Sequence, residues 1–241
     1  MTTWNVLHRV HAVNWKETPI RAFPVEQVRI DEITSRVARW LEGEDSIVGL
    51  EEVSGDQLAS LRRAFGADAT IVEHTFPRVP SIRGGEPLEL TDPTEHLVVI
   101  VKKGVQANRL VAKTFDTDPG KGFLAVDLGG ITFVVTHVSA RERGPQQLRE
   151  LSTAASSVHP RAIVVGDFNA PHEDVAAAFA PDATISALHG QRPTRIASAD
   201  RAGRKIDHVV VIGGAIVTAA VQDGDLLSDH NPVTATLRFD G

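Results

Sequence analysis

The sequence predicts an α/β (α+β) fold in which two β-sheets pack face to face with helices on the outside. Three observations carry this. Short β-rich runs alternate with helical segments along the whole chain, with no internal repeat and no dividing linker. Successive runs are joined by hairpin signals, so pairing is largely antiparallel. Interspersed helical segments supply cover for the outer sheet faces.

The 241 residues are 42% hydrophobic and 23% charged, enough for one domain over 1–241 with a substantial core. No apolar run approaches the roughly 18–20 residues that span a bilayer, so no membrane anchor is expected. The opening Met1-Thr2-Thr3-Trp4-Asn5 has no basic or apolar leader region, so a cytoplasmic protein is expected, with a monomer as the default. There are no cysteines and no tyrosines, which excludes disulfides, thiolate zinc sites, cysteine nucleophiles and tyrosyl chemistry. A net charge of −6 gives no strongly basic footprint for long duplex DNA.

Residues 3–8 read as a first strand. Val28, Ile33, Val37, Trp40 and Leu41 recur at helical spacing and predict a helix over 25–41. An apolar strand over 46–53 ends in two acids, and Ser54-Gly55-Asp56-Gln57 matches a capping box opening a helix to about Phe65. Strands follow over 70–76, 96–102, 110–115, 122–128 and 131–138, the last two joined by Gly129-Gly130. Pro145 near its start marks a helix over 145–158, then a buried strand covers 162–168 and a short helix 172–179. Strands over 205–212, 215–221 and 231–239 close the chain. The polar stretches 77–95 and 189–204 are loops of a length that tends to carry function.

Candidate chemistry gathers at the ends of the β-runs. Asp167 and Asn169 stand two apart in VVGDFNAP; strand alternation would aim both at one site. That pair can also simply terminate a strand. Asn5 lies in the first strand. Alternation lets only one of Glu51 and Glu52 face the site, and Glu52 is nearer the strand end. His137, Asp207, Asp229 and His230 complete the set. Carboxylates, an amide and histidines of this kind suit a hard cation such as Mg²⁺ or Mn²⁺ beside a phosphate ester.

In WNVLH, GLEEV, VVTHVSA, VVGDFNAP, KIDHVVV and LSDHNPV, taken in order over almost the whole chain, the sequence resembles the endonuclease/exonuclease/phosphatase superfamily, the DNase I-like fold. The resemblance implies a four-layer sandwich and divalent-metal phosphoesterase activity. It implies metal binding by Glu52 with help from Asn5 and Asp229, and phosphate contact by His137. It implies positioning or activation of water by Asp167, transition-state stabilisation by Asn169, a hydrogen bond from a catalytic histidine to Asp207, and His230 as phosphate contact or general base. Either Asp167 or His230 takes the proton. Thr194 corresponds to a substrate-facing threonine loop, and Arg192 and Arg195 suit phosphate.

The chain departs from many DNA-repair members in lacking an active-site tyrosine and the Gly-Asn-containing motif usual near 95–104. His74 and His96 are candidates to line the pocket instead. His8, His11 and His208 read as packing or surface residues, Glu51 as structural, and Trp4, Trp15 and Trp40 as core. The expected substrate is a phosphodiester of nucleic acid or a nucleotide. A small phosphomonoester, cyclic phosphate or phosphoinositide headgroup is the alternative, and a non-catalytic binding module on the same scaffold is the remote one.

Overall fold

The structure is a computed structural model, and it describes residues 1–43, 47–84, 89–179, 181, 183–198 and 201–239. Twelve strands are described, arranged in two six-stranded sheets. The first contains β1 (Thr2–Asn5), β2 (Ile47–Ser54), β3 (Ala69–Thr75), β4 (Glu95–Lys102), β11 (Ala215–Val221) and β12 (Val233–Arg238), in the order β11-β12-β1-β2-β4-β3. The second contains β5 (Asn108–Phe115), β6 (Asp118–Asp127), β7 (Thr132–His137), β8 (Ala162–Asp167), β9 (Ala183–Ile185) and β10 (Asp207–Ile212), in the order β5-β6-β7-β8-β10-β9.

Each sheet is antiparallel except for one parallel pair, β1–β2 and β7–β8. Parallel neighbours need a crossover, and helices supply it. Between β1 and β2 run α1 (Arg9–Trp15), α2 (Pro19–Ala22) and α3 (Glu26–Glu42). Between β7 and β8 runs α5 (Gly144–Ser156). The other described α-helices are α4 (Gly55–Phe65) and α6 (His172–Phe179).

Strand alternation sorts the core into three layers of contact. Leu97, Val99, Phe133, Val135, Ile163, Val165 and Val209 meet between the sheets. Val48, Leu50, Val98 and Ile100 on the other face of the first sheet pack on Ile33, Val37, Leu58 and Leu61 of α3 and α4. Val134, Val164 and Val210 of the second sheet pack on Leu148, Leu151 and Val175 of α5 and α6. Helices, sheet, sheet, helices is thus the layer order, as expected. Strands buried on both faces must read as continuous Val/Ile/Leu runs, and these do.

Local signals account for the joints. Gly129 and Gly130 both have positive φ, 73° and 96°, the pair that a two-residue type I′ hairpin demands. Leu128 N donates across the turn to Ile131 O at 2.9 Å. Ser54 caps α4 by accepting from Gln57 N at 3.1 Å. The reciprocal half of the expected capping box is not made, because Gln57 Nε2 turns to Thr34 Oγ1 at 2.9 Å and ties α4 to α3. The first strand ends at Asn5 rather than at residue 8, since Leu7 has φ 58° and His8 caps α1, an element the sequence reading missed. β9 was also missed; three residues are too few for a periodic signal. The expected strand start at Ser46 lies outside the described residues, as do parts of both long loops.

Candidate active site

Strand register brings the site together. His137, Asp167 and Asp207 are direct neighbours across β7, β8 and β10: His137 pairs with Asp167, and Asp167 with Asp207. Asn5 ends β1 in the facing sheet. Glu52 reaches the same edge through a bulge in β2 between Leu50 and Val53, where its own φ is 57°. The bulge re-aims one side chain without breaking the strand. Glu52 thereby lines the cleft, whereas Glu51 points between the sheets and accepts from Thr3 Oγ1 at 2.9 Å. Burial pushes the Glu51 carboxyl well above its usual range, with the nearby Asp207 adding to the effect.

Asn5 Nδ2 donates to Glu52 Oε1 and to Asp167 Oδ2, each at 3.2 Å. One amide thus bridges two carboxylates. His8 N donates to the other Glu52 oxygen at 3.1 Å. His137 Nε2 lies 3.3 Å from Asp167 Oδ2 and 3.7 Å from Glu52 Oε1. Lys121 Nζ stands against the same ring, 2.9 Å from Nδ1 and 2.6 Å from Nε2. Lys121 and Asp167 thus both meet the imidazole at Nε2, and the donor and acceptor roles of its two nitrogens depend on the tautomer.

His230 Nδ1 faces both Asp207 oxygens at 2.9 Å. Its Nε2 points back to Asp167 Oδ2 at 3.8 Å and Asp229 Oδ1 at 4.0 Å. Its backbone is pinned by Trp4 Nε1, which donates to His230 O at 2.9 Å, and by Ser228 Oγ, which accepts from His230 N at 3.0 Å. Asp229 Oδ2 accepts from Arg195 Nη2 at 2.8 Å, and Arg195 also bridges to Glu17 Oε1 at 2.8 Å. Asp229 Oδ1 is buried without a hydrogen-bond partner among the described residues.

These groups are nearly all buried, so their charges act at short range in low dielectric. Burial alone would raise Glu52, but His11, His137, Lys121 and the His8 N–H hold it well below the ordinary range. Burial opposes ionisation of Asp167 too, and His230 and His137 overcome it, holding its carboxyl far below the usual value. Burial would lower His230, yet Asp207, Asp229 and Asp167 carry it up to about 10. Burial and Asp167 also push Asp207 up against the pull of His230. The imidazole keeps the proton of this pair, because three carboxylates surround it.

Asp167, Asp207 and His230 each offer an atom within 4.8 Å of the others, a set that could hold a metal ion. Asp207 is committed to His230 Nδ1, however. Glu52, Asp167 and Asp229 line the same cleft, and the Asn5 amide joins the first two.

A cleft of about 860 Å³ opens onto part of this network. Glu52, His137, Asp167, Asn169, Asp229, His230 and Arg195 line it. Asn169 arrives by a different route from the one expected. Its φ of 49° ends the strand, so alternation does not place it; its N donates to Asp167 Oδ1 at 2.8 Å in a tight turn. One amide hydrogen goes to Val138 O at 3.0 Å, leaving the other for a ligand.

Two expected substrate contacts are corrected. Thr194 is fully buried, and its Oγ1 accepts from Ile206 N and Asp207 N at 2.9 and 3.1 Å, so it positions Asp207 instead of facing substrate. Arg192 does not line the cleft and pairs with Asp223. His74 and His96 are likewise off the cleft, bonded to Thr114 and to Thr75 and Thr94. His208 packs on Phe168 and meets Ala170 O at 2.9 Å. His11, expected to pack or lie on the surface, lines the cleft and pairs with Glu95 at 2.9 Å, and Lys121 joins it from one residue before the expected start of its strand. Trp15, expected in the core, is 56% exposed on the cleft.

A two-sheet sandwich with an acid–amide–histidine floor at one sheet edge defines a class of phosphoester hydrolases. The model of the Endonuclease/Exonuclease/phosphatase family matches residues 2–230, and the chain belongs to that family. No curated protein matches the sequence. Among solved structures, an endonuclease/exonuclease/phosphatase from Bacteroides vulgatus is similar at TM-score 0.66 and 19% identity, over 99% of this chain and 98% of that one. D. rerio TDP2 complexed with single strand DNA product is similar at TM-score 0.68 and 13% identity, over 98% and 97%. A mannosyl-6-phosphatase from Bacteroides thetaiotaomicron is similar at TM-score 0.66 and 15% identity, over 99% and 98%. At these identities the likeness concerns the fold.

Proposed function

We propose that this chain is a divalent-metal-dependent phosphodiesterase acting on nucleic acid or a nucleotide. The observation that carries the reading is the convergence of Asn5, Glu52, His137, Asp167 and His230 on one cleft floor, within hydrogen-bond or ion-pair reach of one another. Two buried carboxylates bridged by a single amide repel each other, and a buried Asp229 oxygen has no partner among the described residues; a hard cation such as Mg²⁺ fits both facts. Glu52 and Asp167 would hold it, with Asn5 and Asp229 in support. Bound there, it would supply charge stabilisation to phosphoryl oxygens.

The chain's own groups then take these roles. Asp167 accepts a hydrogen bond from the attacking water and sets its line of approach. A carboxylate held so far down is a weak base, but a loose phosphoryl transition state asks for positioning more than basicity. His230, oriented by Asp207 and protonated at neutral pH, donates from Nε2 to a phosphoryl oxygen. His137 and the free Asn169 amide hydrogen donate to others. Arg78, Arg83, Arg141, Arg201 and Arg204 line the cleft around its acidic floor, which supports a substrate with more than one phosphate.

A phosphomonoesterase is the second reading. Lys121 favours it: a fixed cation beside His137 suits the extra charge of a terminal phosphate. Initial rates on a thymidine dinucleotide, p-nitrophenyl phosphate and mannose 6-phosphate, with Mg²⁺ and with chelator, separate the two. Metal-dependent cleavage of the dinucleotide is expected. Turnover of monoesters only, or turnover indifferent to chelator, overturns the proposal.

A further inference from the structure

We propose that Trp15 is the stacking platform for a nucleobase adjoining the scissile phosphate, so that the substrate is single-stranded. This rests on the phosphodiesterase reading and narrows it. Trp15 ends α1 and stands in the mouth of the cleft, more than half exposed, whereas Trp4 is buried and Trp40 packs edge-on against it at 5.7 Å. The fold gains little from an indole in water. The guanidinium carbons of Arg83 and Arg201 lie 5.1 and 5.9 Å from the Trp15 ring centroid. An exposed indole with two cations beside it is a site for a planar ring that carries phosphate.

The platform is built in advance. Asn14 Oδ1 accepts from Arg83 N at 2.8 Å, and Asn14 Nδ2 donates to Ser81 O at 3.0 Å, holding residues 81–83 beside the ring. Glu17 Oε1 accepts from Arg201 Nη2 at 2.7 Å, holding Arg201 there. The same Glu17 oxygen accepts from Arg195, which reaches Asp229 on the floor. Ring and reaction centre are therefore joined by one chain of contacts, Trp15–Arg201–Glu17–Arg195–Asp229.

The chemistry beside the ring favours a base over a sugar. A carbohydrate stacked on tryptophan presents hydroxyl donors and wants carboxylate or amide acceptors nearby. The acceptors of this turn, Asn14 Oδ1 and Glu17 Oε1, already accept from Arg83 N and from Arg195 and Arg201. Arg83 and Arg201 only donate, which matches the ring nitrogens, carbonyls and phosphates of a nucleotide. A base paired inside a duplex has no free face to lay on the indole, hence the single strand.

The test compares kcat/KM for a thymidine dinucleotide and for its analogue lacking one base, in wild type, Trp15→Ala and Trp15→Phe. Wild type should prefer the base-bearing substrate by about 5- to 150-fold, the range for one base stacked on one aromatic side chain. Trp15→Ala should close that gap through KM, and Trp15→Phe should keep part of it. In parallel, thymidine 5′-monophosphate should quench tryptophan emission in wild type but much less in Trp15→Phe. Equal wild-type rates on the two substrates, or a preference that survives in Trp15→Ala, overturns the platform while leaving the phosphodiesterase reading intact. Loss of mannose 6-phosphate turnover in Trp15→Ala without any effect of the base overturns it in favour of a sugar. Quenching by the nucleotide in a chain that cleaves no diester supports the platform and rejects the parent reading.

Discussion

Asp207→Asn tests the electrostatics of the floor. It replaces the carboxylate that meets His230 Nδ1 through both oxygens at 2.9 Å with an isosteric amide. His230 is carried from 6.5 up to about 10, a difference worth roughly 5 kcal/mol at 1.36 kcal/mol per unit. Asp207 is the first of the three carboxylates that raise it. Removing one partner of a buried ion pair costs about 3–5 kcal/mol, so a loss of roughly 3 kcal/mol is expected. The sign in pH follows from the raised folded value. The contribution of His230 is fully present below its unfolded value of about 6.5 and is lost as pH rises through about 10. The stability gap between wild type and Asp207→Asn, measured by urea denaturation without metal, should therefore be widest near pH 6.5 and narrow toward pH 10. Imidazole NMR should place the His230 titration of the folded wild type far above 6.5 and bring it down in the variant. A His230 that titrates near 6.5 in the folded chain, or a gap that stays constant from pH 6.5 to 10, would refute the reasoning.

Glu52→Gln should weaken Mg²⁺ binding by at least tenfold in calorimetry, since it removes one of the two ionised carboxylates bridged by Asn5. Gly166→Ala should lower stability by about 3 kcal/mol or more, or prevent folding. Its φ is +134°, and an added Cβ would stand 2.0 Å from Thr136 O, a backbone atom that cannot step aside. Ser54→Ala should cost about 1 kcal/mol in denaturant unfolding, the worth of the cap on α4, with kcat/KM unchanged. A Ser54→Ala variant with normal stability but impaired turnover would contradict that separation.

The layers of the fold were legible because the central strands of the double sandwich are buried on both faces. Such a strand declares itself as an unbroken apolar run, as Leu97-Val98-Val99-Ile100-Val101 does in β4. Asn5, Glu52, His137, Asp167 and His230 were legible because they stand where those runs stop. What the sequence concealed depends on backbone turns. Nothing in Glu51-Glu52 announces a bulge, although the bulge decides which acid faces the cleft. Asn169 was placed in the right cleft for an incomplete reason, since its left-handed backbone and not strand alternation brings it there. Thr194 was misassigned because a hydroxyl in an arginine-rich loop looks the same whether it faces substrate or accepts two backbone N–H groups. α1 was missed because it is one short helix directly after a strand, with His8 as an unusual cap, and with it went the positions of His11 and Trp15.

The most direct measurement is Mg²⁺-dependent hydrolysis of a thymidine dinucleotide by wild type and by Asp167→Asn, which leaves the shape of the floor unchanged and removes its most strongly ionised aspartate. The account predicts turnover that vanishes with chelator in the wild type and falls about 10²-fold or more in the variant. Equal turnover by the two proteins would contradict it.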